Sequence, residues 1–295
     1  MDLHYGQVYK WGEEQLESAE IAEAKLDARL LLEYACGTDR NTLLIHGDRE
    51  VSEKEYEQYV NYIAERKKHV PLQYITGVQE FMGLEFAVNE HVLIPRQDTE
   101  ILVEEVMRHL HDGMRILDIC TGSGCILLSL LYYSNDCTGI GTDISKDTLS
   151  VAMENADKLK ALKNGLNVEF VQSDLFEQLE KDEEDRYKGQ FEIIVSNPPY
   201  IKSDVIETLM PEVREYEPRS ALDGKEDGLF FYRKIIERAG DYLTGGGELF
   251  FEIGYDQAAD VKAMMEDAGY AEVEVVKDFA GLDRVVHGIM NKSAV

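Results

Sequence analysis

Asn197-Pro198-Pro199-Tyr200 follows directly on an apolar stretch, 191–196, that reads as a strand. Two prolines remove two backbone donors and fix the chain, leaving the carbonyls there free to accept hydrogen bonds. The Asn197 side-chain oxygen and the Pro198 carbonyl can both accept from one planar NH2 group, and the Tyr200 ring can stack on that group. This combination suits a neutral amide or an exocyclic amine whose nitrogen attacks a carbon electrophile. A plain turn, which Asn-Pro often starts, needs neither the second proline nor the tyrosine.

The second chemically informative stretch is Asp118-Ile119-Cys120-Thr121-Gly122-Ser123-Gly124, between a predicted strand and a predicted helix. Open α/β sheets bind ligands at such strand–helix turns. Gly122 and Gly124 permit a sharp turn and a close approach of backbone to ligand, and the helix start offers unpaired N–H groups. Asp118 is suited to the charged amino end of a ligand. Asp143 ends the next strand, about 20 residues on, where a carboxylate typically bonds a ribose diol; its bland alternative is a helix N-cap. No Gly-x-x-x-x-Gly-Lys-Ser/Thr occurs, which removes the P-loop reading, and the turn lacks the full Gly-x-Gly-x-x-Gly of dinucleotide sites. A mononucleoside ligand without a pyrophosphate fits better.

Other chemistries are excluded or weakened. The four cysteines, Cys36, Cys120, Cys125 and Cys137, contain no Cys-x-x-Cys pair, so free thiols in a reducing compartment are expected. The seven histidines form no His-Glu-x-x-His, and His109 and His111 fall on different faces of a helix end, so no metal site is expected. Thirty basic against 58 acidic residues give a net charge of −28, which disfavours direct nucleic-acid binding. No apolar run is long enough to span a bilayer, and Met1–Gly6 shows no signal-peptide pattern, so no membrane association and a cytoplasmic location are expected.

The elements that must position these residues can be read from periodicity. With 295 residues, about two domains are expected. The first 70 residues read as helical, with apolar residues at helical spacing in 24–36 before Gly37 and a capping box at Ser52-Glu53-Lys54-Glu55 opening a helix to about Lys68, which Pro71 ends. Alternation of Phe81, Leu84, Phe86, Val88, Val92 and Ile94 around Gly83 predicts a β-hairpin joining the domains. From Asp98-Thr99-Glu100 a helix runs to about His109. Strands are predicted at 115–119, 137–142, 168–171, 191–196, 248–253, 273–276 and 284–289. Helices are predicted at 126–133, 147–162, 230–242 and 257–268. This β-α-β-α order implies an α/β fold with a mostly parallel sheet and helices on both faces. The charged run 177–186 reads as a solvated loop or helix.

Together these residues resemble the release factor glutamine methyltransferases, the PrmC/HemK type of S-adenosylmethionine-dependent methyltransferase. The likeness covers nearly the whole chain. It includes Pro71-Leu72-Gln73-Tyr74-Ile75-Thr76-Gly77, Leu93-Ile94-Pro95-Arg96-Gln97-Asp98-Thr99-Glu100, the glycine turn, Asp143 and Ser173-Asp174-Leu175-Phe176. It continues through Asn197–Tyr200, Glu217-Pro218-Arg219-Ser220-Ala221-Leu222, Glu252-Ile253-Gly254-Tyr255-Asp256-Gln257 and Gly281-Leu282-Asp283-Arg284. The Asn-Pro-Pro-Tyr motif is shared with DNA amino-methyltransferases, whereas the Pro-Arg-x-Asp-Thr-Glu segment is far more specific. A sibling family modifies a glutamine of a large-subunit ribosomal protein and usually lacks that Asp-Thr-Glu.

The resemblance implies a Rossmann-like, seven-stranded class I methyltransferase domain over 98–295. It also implies a helical substrate-docking domain over 1–77 and a β-hairpin linker over 78–97. It implies S-adenosylmethionine as cofactor, held by Asp118, Cys120, Thr121, Gly122, Ser123, Gly124, Asp143, Leu175 and Asn197. The methionine part would lie at the glycine turn, the ribose on Asp143 and the adenine beside Leu175. Asn197, Pro198, Pro199 and Tyr200 would act on the glutamine of a Gly-Gly-Gln motif in peptide chain release factors, and the enzyme would be a monomer.

Two positions depart from the family pattern. Gln97 stands where proline is common, which is expected to be mild. Cys120 stands where the first glycine of the turn often sits; because a cysteine takes positive φ only at a cost, an extended backbone is expected there. Methylation of a ribosomal-protein glutamine is the alternative. Action on a base amine of DNA or RNA, which would require base flipping, is less favoured by the −28 charge. A non-catalytic relative has only Cys120 as a hint.

Overall fold

A computed structural model describes residues 3–291, so Met1, Asp2 and 292–295, at the ends of the expected domain ranges, lie outside the described residues. Backbone contacts divide the chain into two units. One comprises the residues up to Val78 with Met210–Tyr216, the other Gln79–Leu209 with Glu217 onward.

The first unit is helical: α1 (Tyr5–Glu17), α2 (Ala24–Cys36), α3 (Arg40–Ile45), α4 (Glu53–Arg66) and α5 (Leu72–Thr76). The Ser52/Glu55 capping box forms in both directions and starts α4. Gly37, at φ 55°, ends α2 in the left-handed conformation that glycine adopts cheaply. Tyr5, Val8, Leu16, Leu31, Leu32, Tyr59 and Ile63 form the core; burying a large side chain contributes roughly 1.5–3 kcal/mol. Gly12 admits the Tyr59 ring, whose hydroxyl would lie 1.8 Å from a Cβ at that position. The helix at Pro211–Tyr216 belongs to this unit. Glu212 pairs with Arg66 at 2.6 Å, Arg66 also binds buried Asp27 at 2.7 Å, and Tyr216 donates to the Lys68 carbonyl at 2.7 Å. Nothing in local periodicity announces that return of the chain.

The second unit, from Gln79 on, opens with the hairpin of β1 (Val78–Phe81), whose first residue is the last of the first unit's main segment, and β2 (Leu84–Ala87). Its Phe81, Leu84 and Phe86 are buried in this unit's own core, so the hairpin is packed there rather than standing apart as a linker. A 3-10 turn, Gln97–Thr99, leads into α6 (Glu100–His109). Then follow β3 (Arg115–Ile119), α7 (Cys125–Tyr133), β4 (Thr138–Asp143), α8 (Lys146–Leu162), β5 (Asn167–Gln172), α9 (Glu177–Glu180) and β6 (Phe191–Ser196). After the short α10 (Ser203–Ile206), the first-unit helix α11 (Pro211–Tyr216) and α12 (Arg219–Leu222) come α13 (Phe230–Tyr242), β7 (Leu243–Glu252), α14 (Ala258–Asp267), β8 (Tyr270–Lys277) and β9 (Asp283–Met290).

The sheet has seven strands in the order β5-β4-β3-β6-β7-β9-β8. All neighbours are parallel except β7·β9 and β8·β9. Strand residues alternate between two apolar layers, Leu117, Ile194 and Phe251 on one face and Ile116, Ile193 and Phe250 on the other. The chain runs outward from β3 through β4 to β5, then returns to β6 on the other side. The topological switch point, where open α/β sheets bind ligands, is therefore at the carboxyl ends of β3 and β6. Ile119 pairs with Ser196 there, so the glycine turn and the Asn-Pro-Pro-Tyr loop leave the sheet side by side.

Candidate active site

A cavity of about 240 Å³ opens at that point, entirely within the second unit. Of the residues expected to act, Cys120, Thr121, Gly122, Ser123, Asp143, Leu175, Asn197 and Pro199 line it. Asp118, Gly124, Pro198 and Tyr200 are not on its wall. Arg96 and Thr99, from the segment before α6, also face it.

The glycine turn is shaped by its own backbone and braced by Asp143 and by Asn155 of α8, whose Nδ2 donates to the Ser123 carbonyl at 3.0 Å. Cys120, Gly122 and Gly124 all have positive φ, 62°, 57° and 79°. The extended conformation expected of Cys120 is therefore wrong: the turn demands a left-handed residue at that position, and the cysteine adopts it at a cost of about 1–2 kcal/mol. Leu175, at φ 49°, is a second strained non-glycine residue on the wall. The Gly122 N–H donates to Asp143 Oδ2 at 3.2 Å and the Ser145 N–H to Asp143 Oδ1 at 2.9 Å. Asp143 thus both fixes the turn and faces the cavity. Burial raises its pKa, while the bonds from Ser145, Gly122 and Ile144 pull it down.

Asp118 sits behind the turn, fully buried. Thr121 donates to its Oδ2 at 2.6 Å, and Oδ1 has no hydrogen-bond partner. Burial pushes its carboxyl up to about 7, with Thr121 opposing and the Asp143 charge adding. A carboxylate so placed acts on a ligand cation through its field and through Thr121 rather than by contact. Burial also raises the Cys120 thiol well above its ordinary value, so it is no nucleophile.

The Asn197–Tyr200 loop is held from elsewhere in the chain. Asn197 Nδ2 donates to Thr99 Oγ1 at 3.4 Å, which leaves the amide oxygen as an acceptor. The Tyr200 hydroxyl donates to Glu252 Oε1 at 3.1 Å, and the Tyr200 carbonyl accepts from Gln257 Nε2 at 3.0 Å. Gln257 is itself fixed by the Gly254 N–H at 2.9 Å. Burial and the neighbouring Glu252 raise the Tyr200 phenol, so it stays protonated. Thr99, Glu252 and Gln257 were not among the expected site residues. The Asp-Thr-Glu and Glu-Ile-Gly-Tyr-Asp-Gln segments were the available signal, but nothing in their spacing says that they clamp a loop about 50 residues or more away. Arg96 Nη2 bonds both carboxylate oxygens of Glu217 at 2.5 and 2.7 Å, which fastens the segment carrying Ser220 and Ala221 beside the cavity.

A family profile described as PrmC N-terminal domain matches residues 7–77, and one described as methyltransferase domain matches residues 110–285. A release factor glutamine methyltransferase of Clostridium botulinum is 41% identical over 279 residues, covering 92% of this chain and 94% of that protein. One from Clostridium acetobutylicum is 44% identical, covering 88% and 89%. The chain belongs to the release factor glutamine methyltransferase family. A solved methyltransferase from Pyrococcus furiosus, 18% identical, superposes with a TM-score of 0.51 over 72% of this chain and 91% of that one, which shows the shared fold.

The cofactor of this family's class I methyltransferase fold is S-adenosylmethionine. The residues present fit it. Positive φ at Gly122 leaves open space where a side chain would stand, Asp143 supplies a carboxylate on the wall, and the half-satisfied Asp118 leaves negative potential behind the turn.

Proposed function

We propose that this chain methylates the side-chain amide nitrogen, N5, of the glutamine in the Gly-Gly-Gln motif of peptide chain release factors. The observation that carries the reading is the Asn197–Tyr200 loop, clamped by Thr99, Glu252 and Gln257 at the mouth of β6 beside the glycine turn. The release-factor relatives, aligned over nine-tenths of the chain, supply the substrate class.

S-adenosylmethionine, when bound, supplies a methyl group on a sulfonium centre. Gly122, Ser123 and Asp143 would hold it, with Leu175 beside the adenine. The chain's remaining work is on the substrate. An amide lone pair is delocalised, so the nitrogen is a poor nucleophile. The Asn197 oxygen and the Pro198 carbonyl would accept from the glutamine NH2 and orient the nitrogen, with Tyr200 packing behind the loop. Rate enhancement then comes from proximity and fixed dipoles. The Tyr200 phenol is held protonated by burial and hydrogen-bonded to Glu252, so neither serves as a base in this scheme; the amide proton leaves to solvent after transfer.

Residues 7–77 match the N-terminal domain of the family and would dock the release factor. The net charge of −28 supports a protein partner rather than direct nucleic-acid binding, and no helix among the described residues is long and apolar enough to cross a membrane. Action as a monomer in the cytoplasm completes the reading.

The test is transfer of labelled methyl to purified release factor, ribosomal proteins and DNA in parallel, followed by peptide mass mapping. Label on the Gly-Gly-Gln glutamine, absent from a Gln→Ala substrate, is the expected result. Label only on a ribosomal protein or on DNA would overturn the substrate while leaving the amide-type chemistry of Asn197 standing.

A further inference from the structure

Away from the cavity, along the second half of α6 and the middle of β7 and β9, four ionisable side chains converge. Glu105 and His109 lie one turn apart on α6, Glu248 projects from β7 and His287 from β9. Glu105 Oε1 is 3.4 Å from His109 Nε2 and 3.7 Å from His287 Nε2, and these three atoms all lie within 4.8 Å of one another. The second Glu105 oxygen is taken by Arg108. Across the two rings, His109 Nδ1 is 3.0 Å from Glu248 Oε2, and His287 Nδ1 is 3.7 Å from it. His287 is buried against the stacked ring of Phe250, yet neither of its nitrogens has a hydrogen-bond partner.

The contact of His109 with Glu248 is an ordinary hydrogen bond, whereas the two Glu105 distances, 3.4 and 3.7 Å, are long for hydrogen bonds but suit ligands of a common ion. Two ligands each about 2.0–2.1 Å from a tetrahedral zinc stand roughly 3.3–3.4 Å apart. Glu248 faces both Nδ1 atoms, so it favours the tautomer with the proton there and the lone pair on each Nε2. That is the carboxylate–histidine arrangement that orients histidine ligands. In that tautomer two imidazole lone pairs and the Glu105 oxygen converge with no proton between them; in the other, the Nε2–H groups would face Glu105 from 3.4 and 3.7 Å, too far for good hydrogen bonds. A buried convergence of three acceptors is unfavourable unless a cation sits among them.

We propose that Glu105, His109 and His287 form a divalent transition-metal site, with zinc the best-suited ion, oriented by Glu248 and completed by water on the partly exposed His109 side. The site is distinct from the methyl-transfer cavity. The ion would fasten α6 to β7 and β9. The N-cap of α6 is Thr99, which holds Asn197, and β7 ends at Glu252, which holds Tyr200. The metal would therefore brace the two elements from which the catalytic loop is clamped.

The test uses the full chain, stripped with chelator and titrated with Co2+ and then Zn2+. One Co2+ per chain is expected, with the visible d–d bands of four-coordinate cobalt, displaced by Zn2+. Zinc at 100 times its dissociation constant should raise Tm by roughly 4–5 °C. His109→Gln, at the exposed edge, and the isosteric Glu105→Gln should fold but lose both bands and shift. Glu248→Gln should weaken affinity about 10–100-fold, and His46→Gln, at an exposed position elsewhere, should behave as wild type. Absence of cobalt bands and of a zinc-dependent Tm in wild type would overturn the proposal, as would wild-type binding by His109→Gln. So would a stability that rises on acidification without any metal response, which would make the cluster a protonated ion network.

Discussion

The two loops that meet at the switch point are made rigid in different proportions. The turn after β3 is shaped mainly from within. Its conformation comes from alternating left-handed residues, with Asp143 on the adjoining strand and Asn155 of α8, which donates to the Ser123 carbonyl at 3.0 Å, as its outside supports. The loop after β6 has little support of its own beyond two prolines and is held by Thr99, just before α6, by Glu252 at the end of β7 and by Gln257 just after it. A turn that binds a cofactor needs an open backbone, which local chemistry provides. A loop that must aim an amide nitrogen needs orientation to fractions of an ångström, which remote, buried side chains provide. Binding and chemistry should therefore be separable by mutation.

The largest effect should come from Asn197→Ala. Methyl transfer should fall about 10³-fold, as when one preorganised hydrogen-bonding group is removed, while calorimetry shows a far smaller change in cofactor affinity, because Asn197 is only one of the wall residues expected to touch the cofactor. Next, Asp118→Asn should change the pH dependence of stability. The folded Asp118 pKa, at about 7, lies above its ordinary 3.8. Its contribution is fully present below about pH 4 and is lost as pH rises through about 7. Cofactor-free wild type should thus lose stability relative to Asp118→Asn between those limits, on the order of a few kcal/mol, by denaturant titration at several pH values.

Asp143→Ala should weaken cofactor binding about 10–100-fold by removing a charged acceptor, with release-factor binding retained. Gln257→Ala should cost about 1–3 kcal/mol of stability because it strands the Tyr200 carbonyl and the Gly254 N–H. Its transfer rate should drop without a matching loss of cofactor affinity. The smallest effect should be at Cys120. Cys120→Gly should unfold about 1 kcal/mol later than Cys120→Ala, because glycine alone adopts φ 62° without strain.

The same contrast explains what could be read from the sequence. Each strand of the large sheet and its long helices were legible because strands buried on both faces leave short apolar runs, as in 191–196, and helices repeat apolar residues at the helical period, as in 230–242. The glycine turn and Asp143 were legible because their signal is local. Cys120 misled because the demand for positive φ comes from the turn as a whole, not from the residue that occupies the position. The short helices α5, α10, α11 and α12 are too brief for a periodic signal. The supports of the Asn-Pro-Pro-Tyr loop, 52 and 57 residues from Tyr200, become visible only when the sheet brings β6 beside β7. The Glu105–His109–His287 cluster was hidden for the same reason. Its histidines come from α6 and β9, whereas proximity along the chain brings His109 together only with His111.

The most direct test pairs cofactor affinity with methyl transfer to release factor, on the same preparations of wild type, Asn197→Ala and Asp143→Ala. A crossing pattern is expected. Asn197→Ala binds cofactor nearly as wild type and transfers almost no methyl; Asp143→Ala binds weakly and recovers most of its transfer rate at saturating cofactor. Near-normal turnover by Asn197→Ala with bound cofactor, or parallel loss of both quantities in both variants, would contradict it.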